Sequence, residues 1–247
     1  MPFLQPYRGL QFFPVEAFPS PLTRLASPEV NATGGPSSGW VTIDLHTHTW
    51  RSGDSRTTVE RFVAGLGRLE VVAVTDHHDI RSASEIAAMT QAHVIVGEEI
   101  DTGAGELIGL YLEQVIPRRL GLEETIDRIR DQGGLVYAPH PLDGTRRSLG
   151  ATRLQQLAAA GLLDIIEAGN GKMHAFDHHA ASLALAHDIA ITSASDAHVA
   201  AALGGCASLI TRVPTGPRDL VELLKQGISL WRHSDPVALD IGGVPSS

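Results

Sequence analysis

The residues best suited to chemistry in this 247-residue chain are its twelve histidines, several of which share short segments with carboxylates. The first such segment is Ile43-Asp44-Leu45-His46-Thr47-His48. Residues two apart on a strand point to the same face. His46 and His48 can therefore ligate one ion together, or they can be two surface histidines past a strand end. Ser52-Gly53-Asp54-Ser55 follows, where Asp54 either folds back as a ligand or serves as a turn or cap aspartate. Thr75-Asp76-His77-His78-Asp79 ends an apolar run, and packing does not explain so polar an ending. In Gly97-Glu98-Glu99 at least one carboxylate needs a partner if the segment is buried, because buried charge is costly. Pro139 and Pro141 fix the backbone around His140, and Ser195-Asp196-Ala197-His198 again offers two ligand types at i and i+2. Each segment alone is a weak signal. Together they bring five histidines and three carboxylates to successive strand ends. Mixed nitrogen and oxygen ligation without thiolates suits Mn²⁺, Fe²⁺ or Zn²⁺. The supply exceeds the needs of one ion and points to two or three.

These segments need a scaffold, and the pattern between them supplies one. Short apolar runs predict strands at 40–45, 71–75, 94–100, 107–112, 135–138, 164–168, 189–194, 207–211 and 228–231. Helical stretches fall at 57–66, 82–91, 122–131, 151–160, 176–187 and 218–225. Glu123 and Glu124 open one helix, Arg128 and Arg130 lie near its end, and Gly133-Gly134 stop it. Pro217 suits the start of another. The alternation argues for an α/β fold with a mostly parallel sheet, and the strand count is enough to close a barrel. In such a barrel the active site lies at the C-terminal ends of the strands, where the polar segments fall. The first 38 residues differ. They hold seven of the 14 prolines and four of the six phenylalanines, and they predict an extended N-terminal arm docked on the domain or on a second subunit. GGPSSG at 34–39 is a flexible joint, so the division is an arm over 1–38 and one domain over 39–247.

Composition narrows the function. With 43% hydrophobic and 19% charged residues the chain can bury a core. No apolar run reaches the roughly 18 residues of a membrane span, and the N-terminus lacks the pattern of a secretory signal. The single cysteine, Cys206, excludes an internal disulfide, and a cytoplasmic location is the default. The formal charge of −9 argues against a broad nucleic-acid footprint, so no stable nucleic-acid complex and no membrane partner are expected.

The ordered set H-x-H, T-D-H, G-x-E, P-H-P and S-D-A-H resembles the PHP family, the polymerase and histidinol phosphatase domains, over about 42–200. The resemblance implies a distorted (β/α)7 TIM-like barrel with a di- or trinuclear metal site at its C-terminal face. By motif it implies His46, His48, His77, Glu99, His140, Asp196 and His198 as ligands. The family often has Ser-Asp-Gly after H-x-H. Here the aspartate stands one place later, as Asp54, which is carried over as a ligand. Where many members place a histidine before the strand after G-x-E, this chain has Glu106, read as a substitute ligand that favours Mn²⁺. Arg146 and Arg147 can fork onto a phosphate, or be solvated loop arginines. Asn170 or Lys172 can line the pocket. His78 can protonate a leaving group, or support the ligands from behind.

The expected activity is that of a metal-dependent phosphoesterase in which a metal-activated hydroxide attacks phosphorus in line. Three divalent ions would move the formal charge from −9 to −3 and concentrate positive field in the pocket, which reconciles an acidic protein with an anionic substrate. The expected substrate is a small phosphomonoester or nucleotide phosphate. A nuclease acting on DNA or RNA ends is the runner-up, and a catalytically silent metal-binding domain is the reading from another class. The arm leaves room for a homo-oligomer.

Overall fold

The computed structural model describes residues 39–173 and 176–230. The arm expected over 1–38, His174, His233 and the end of the domain beyond 230 lie outside them.

Nine strands, six α-helices and two short 3-10 turns form the described part. The strands are β1 (Val41–Asp44), β2 (Val71–Val74), β3 (His93–Thr102), β4 (Gly105–Leu110), β5 (Leu135–Ala138), β6 (Ile165–Asn170), β7 (Ala190–Ala194), β8 (Ala207–Ile210) and β9 (Ile228–Leu230). The helices are α1 (Val59–Gly65), α2 (Arg81–Ala87), α3 (Leu122–Asp131), α4 (Gly150–Ala159), α5 (His178–Ala186) and α6 (Pro217–Gln226). Each matches an expected run. α3 and β5 have the expected bounds, and Gly133, at φ 72°, ends the α3 turn as foreseen.

The sheet order is β7-β6-β5-β4-β3-β2-β1-β8-β9. β1/β2, β2/β3, β5/β6 and β6/β7 are parallel. β4 departs from the strand–helix alternation and runs antiparallel to both β3 and β5. Only Gly103 and Ala104 join β3 to β4, far too few for a crossover, so the chain turns back as a hairpin. Gly105 begins β4 at φ 130°, and a Cβ there would lie 2.9 Å from the carbonyl oxygen of Ser148, so the approach of the two segments requires glycine.

Period-two alternation fills two layers. Val71 and Ala73 of β2 face the barrel interior with Ile43, Ile95, Ile108 and Tyr137, while Val72 and Val74 face α1 and α2. Leu220, Leu223 and Leu224 place one face of α6 against the interior cluster. Each fully buried aliphatic side chain of this kind contributes about 1.5–3 kcal/mol of transfer free energy.

The barrel closes through the segments that carry the histidines. Thr47 bridges Ala197 in parallel, His48 N–H donates to Ala197 O (2.9 Å), and Asp196 N–H donates to His46 O (2.8 Å). The continuation of β1 thus pairs with the continuation of β7, and β8 lies antiparallel on the earlier part of β1. Buried Asp44 braces this seam, accepting from Ser195 N (3.0 Å) and Gly204 N (3.0 Å).

Candidate metal centre

The seam brings H-x-H beside D-x-H, and the remaining clusters arrive from β2, β3 and β5. Nε2 of His46 lies 3.1 Å from Glu99 Oε2, 3.1 Å from His48 Nε2 and 3.7 Å from Asp196 Oδ1. His48 Nε2 lies 3.2 Å from Glu99 Oε2, and His140 Nε2 lies 3.1 Å from Glu99 Oε1. Asp54 folds back over the opposite side, with Oδ2 at 2.9 Å from His198 Nε2 and 3.4 Å from His77 Nε2. Glu99 sits inside β3 rather than past its end, and the isolated bridge from His77 to Glu99 brings the T-D-H segment alongside it.

The outer nitrogen of each imidazole is engaged elsewhere. His46 Nδ1 lies 3.1 Å from Glu167 Oε2, and His48 Nδ1 lies 2.9 Å from Ser52 Oγ. His77 Nδ1 faces the Glu99 carbonyl oxygen at 3.3 Å, and His140 Nδ1 faces Ser148 Oγ at 3.4 Å. A carbonyl only accepts, so the neutral His77 ring carries its proton on Nδ1 and leaves Nε2 as the nitrogen able to ligate at the centre. The carboxylate of Glu167 selects the same tautomer at His46. Glu167 is itself held by the Tyr137 hydroxyl, by Asn170 Nδ2 (2.6 Å) and by His140 N (3.2 Å).

Three groups of side chains among the described residues bring ligand atoms within 4.8 Å of one another. They are His46–Glu99–His140, His46–His48–Asp196 and His48–Asp54–His77. His46 and His48 each belong to two groups, and one imidazole lone pair serves one ion, so the groups mark overlapping positions. The donors are imidazole nitrogens and carboxylate oxygens with no thiolate, and their convergence in a buried site fits divalent cations.

The charge balance of the centre says the same. Burial opposes a charged His46, but Glu99, Asp196 and Glu167 outweigh it and hold the ring well above the ordinary imidazole range. For His77 burial is likewise outweighed, by Asp54 and Glu99, and the pKa rises to about 9. Burial raises Glu99 and Asp196, yet the cations around them bring both well below the carboxylate range. Glu106 moves up instead, through burial and the charge of Glu99. Clustered carboxylates that draw protons onto neighbouring rings are a site in want of positive charge.

A cavity of about 190 Å³ opens onto the centre, lined among others by Glu106, Arg146, Arg147 and His198. Glu106 Oε2 is 3.9 Å from His140 Nε2, outside the three tight groups. Arg146 Nη1 donates to Asp196 Oδ2 at 2.6 Å. Arg147 has a side chain 61% exposed and pairs with Asp101 at 2.6 Å. His78 is not brought into this cavity. Its backbone turns left-handed (φ 58°), and its Nδ1 lies 3.9 Å from Glu98 Oε1. His140 (φ 27°) and Asp196 (φ 51°) are also left-handed, a conformation that costs a non-glycine residue free energy and is held by its surroundings. Lys172 enters more fully than its place in sequence suggested, with Nζ 3.3 Å from Asp196 Oδ1 and 2.8 Å from His198 Nδ1. Glu167 and Tyr137, which belong to none of the motifs, hold the centre from behind. The signal for Glu167 was a lone carboxylate in the apolar run Ile165-Ile166-Glu167-Ala168.

Comparison with known proteins agrees with this geometry. A family profile described as PHP-associated matches residues 178–228. The chain is 40% identical over 122 residues to the uncharacterized protein MJ1587 of Methanocaldococcus jannaschii, covering 43% of this chain and 71% of that one. A two-domain protein of Bacteroides vulgatus, described as containing a predicted PHP-like metal-dependent phosphoesterase, superposes with a TM-score of 0.65 at 16% identity, over 78% of this chain and 65% of that one. The lesion-specific endonuclease EndoQ of Pyrococcus furiosus superposes with a TM-score of 0.59 at 15% identity, over 80% of this chain and 60% of that one. This chain therefore spans less than two thirds of either of those two structures.

Proposed function

Because the chain belongs to the PHP family, we propose that it is a metal-dependent phosphoesterase hydrolysing a small phosphomonoester or nucleotide phosphate. The observation that carries the reading is the inward set of imidazole Nε2 and carboxylate oxygens around Glu99, with the Nδ1 atoms tied from behind. In this reading His46, His48, Asp54, His77, Glu99, His140, Asp196 and His198 hold two or three divalent ions, with Glu106 at the rim. Mn²⁺ fits the oxygen-rich rim best, with Zn²⁺ and Fe²⁺ as alternatives. Bound divalent ions of this kind bring the pKa of water toward neutrality and neutralise charge on phosphoryl oxygens.

The chain's own groups bind and orient the substrate. Arg146 lines the cavity, and both Arg146 and Lys172 pair with Asp196, so a guanidinium fork and an ammonium can hold two phosphoryl oxygens against the centre. Glu167 and Ser52 keep the His46 and His48 rings from rotating, which preserves alignment between turnovers. The fold shared with the Pyrococcus endonuclease favours a second reading, cleavage at nucleic-acid ends by the same centre.

The test is phosphate release from nucleoside monophosphates, a 3′,5′-bisphosphate nucleotide, histidinol phosphate and a short oligonucleotide, with Mn²⁺ and after chelation. Release from a small ester that needs both Mn²⁺ and His140 is expected. Nucleotide release from the oligonucleotide alone would transfer the assignment to the nuclease. Silence across the panel with metal bound would refute both.

A further inference from the structure

A second cavity, about 560 Å³, adjoins the metal centre. Its walls come from residues 142–145, which follow His140, and from residues 172–173 and 176–179. Two residues of its lining contact residues of the centre. Lys172 lines it, and Lys172 Nζ contacts both Asp196 and His198. Asp143 lines it as well, with Oδ2 at 3.5 Å from Nε of Arg146, which lines the first cavity. The first cavity, at about 190 Å³, is walled largely by the proposed ligands. The group esterified to a phosphate held there has to extend beyond it, and the second cavity is within the ~300–1,000 Å³ range of small-molecule sites.

The chemistry of the second cavity is graded. Lys172 and Asp143 form the end nearest the centre. Asp143 Oδ1 is taken by Thr145 N and Oγ, whereas Oδ2 makes only the long contact to Arg146 and keeps acceptor capacity. The rest of the lining includes Leu142, Met173 and Phe176 alongside the polar Asp177, His178 and His179. Leu142 and Phe176 rest on the core between sheet and helices and are only partly buried. The Phe176 ring packs edge-on against His178, with centroids 5.3 Å apart at 64°. A phenyl ring, a thioether and an imidazole together favour a flat π-system. A polar end able to bind hydroxyls, followed by an aromatic platform, matches a ribose and its base in that order from the phosphate.

We propose that this cavity binds the nucleoside part of a nucleotide substrate, with Phe176 as the platform for the base. The inference rests on the phosphoesterase reading and narrows its substrate class. Sugar phosphates and polyol phosphates would leave the apolar end unfilled.

The experiment separates the cavity from the chemistry. Adenosine, uridine and ribose are titrated into the full chain and followed by ligand-observed NMR, which needs no turnover. At least one nucleoside should bind about tenfold or more tighter than ribose. Phe176→Leu keeps an apolar side chain on the core and should bring that nucleoside down to the affinity of ribose, with the unfolding midpoint showing that the variant is folded. Equal affinities for nucleosides and ribose in the unmodified chain, or unchanged nucleoside binding in folded Phe176→Leu, would overturn the proposal. Steady-state release from adenosine 5′-monophosphate and ribose 5-phosphate with Mn²⁺ completes the test. A KM for the nucleotide about tenfold below that for ribose 5-phosphate is expected. Equal values would overturn the nucleoside site while leaving the phosphoesterase reading intact. Silence toward both esters alongside nucleoside binding would overturn the phosphoesterase reading, and the substrate assignment with it.

Discussion

Glu167→Gln tests the arrangement behind the metal centre with the smallest change of shape. Four donors converge on the two Glu167 oxygens, namely His46 Nδ1, the Tyr137 hydroxyl, Asn170 Nδ2 and His140 N. Glutamine supplies one oxygen and one NH₂, so half of those donors meet another donor. If the amide oxygen stays with His140 N and Asn170, the NH₂ group faces His46 Nδ1. The imidazole then accepts at Nδ1 and carries its proton on Nε2, the nitrogen aimed at the centre. Loss of an orienting partner of this type costs about 10–100-fold in metal affinity, or about 1.4–2.8 kcal/mol. Competition between the protein and a fluorescent chelating indicator for Mn²⁺ measures it directly. Tyr137→Phe removes one of the four donors and leaves the carboxylate, so its loss should be smaller. Mn²⁺ affinity within threefold of the parent in folded Glu167→Gln would refute the claim that Glu167 sets the His46 tautomer.

Three further outcomes follow from the same geometry. Glu106→Gln should weaken one ion relative to the others and shift preference from Mn²⁺ toward Zn²⁺, read by metal analysis after dialysis; unchanged metal content and full activity would remove Glu106 from the centre. Arg146→Ala should lower kcat/KM by about 10–100-fold, since Arg146 contacts Asp196, whereas Arg147→Ala, largely exposed on Asp101, should stay within about threefold in the same phosphate-release assay. In the metal-free protein the folded pKa of His77 is raised from 6.5 to about 9, so its stabilisation is complete below pH 6.5 and lost as pH rises through 9. Its contribution is on the order of 3 kcal/mol, and the unfolding midpoint of the metal-free protein should fall across that window, with saturating Mn²⁺ flattening the fall.

Most of the scaffold is legible in the sequence, because apolar runs of four to seven residues alternate with amphipathic stretches and glycine stops. Leu122–Asp131 carries its own charge polarity and ends at a left-handed glycine, so its limits follow from local physics. The direction of β4 is not local in that sense. It follows from a two-residue connection, and the apolar runs on either side look the same in either direction. The histidines and carboxylates of the centre are conspicuous because their types are costly at the ends of buried strands. The groups that steer them are hidden. Glu167 lies 121 residues from His46, and Ser52, Ser148 and a main-chain carbonyl perform the same task with ordinary residue types. His78 shows the reverse. It stands beside His77 in the chain, but its left-handed backbone places it next to Glu98, outside the cavity.

The seam between the continuations of β1 and β7 has a consequence for how the protein matures. The hydrogen bonds that close the barrel involve His46, His48, Asp196 and Ala197, so closing the fold and assembling the centre are one event. Asp44 and Ser195, which meet at that seam, are 151 residues apart. A chain emerging from a ribosome therefore exposes His46, His48, His77 and Glu99 long before Asp196 and His198 exist to complete the set. Cations held by these residues would act as a clasp across the two ends of the barrel, tying a very long loop as a cross-link does. Amide exchange at His48 and Asp196 should accordingly be among the most metal-sensitive in the protein, and a protease should find the metal-stripped form through this seam first.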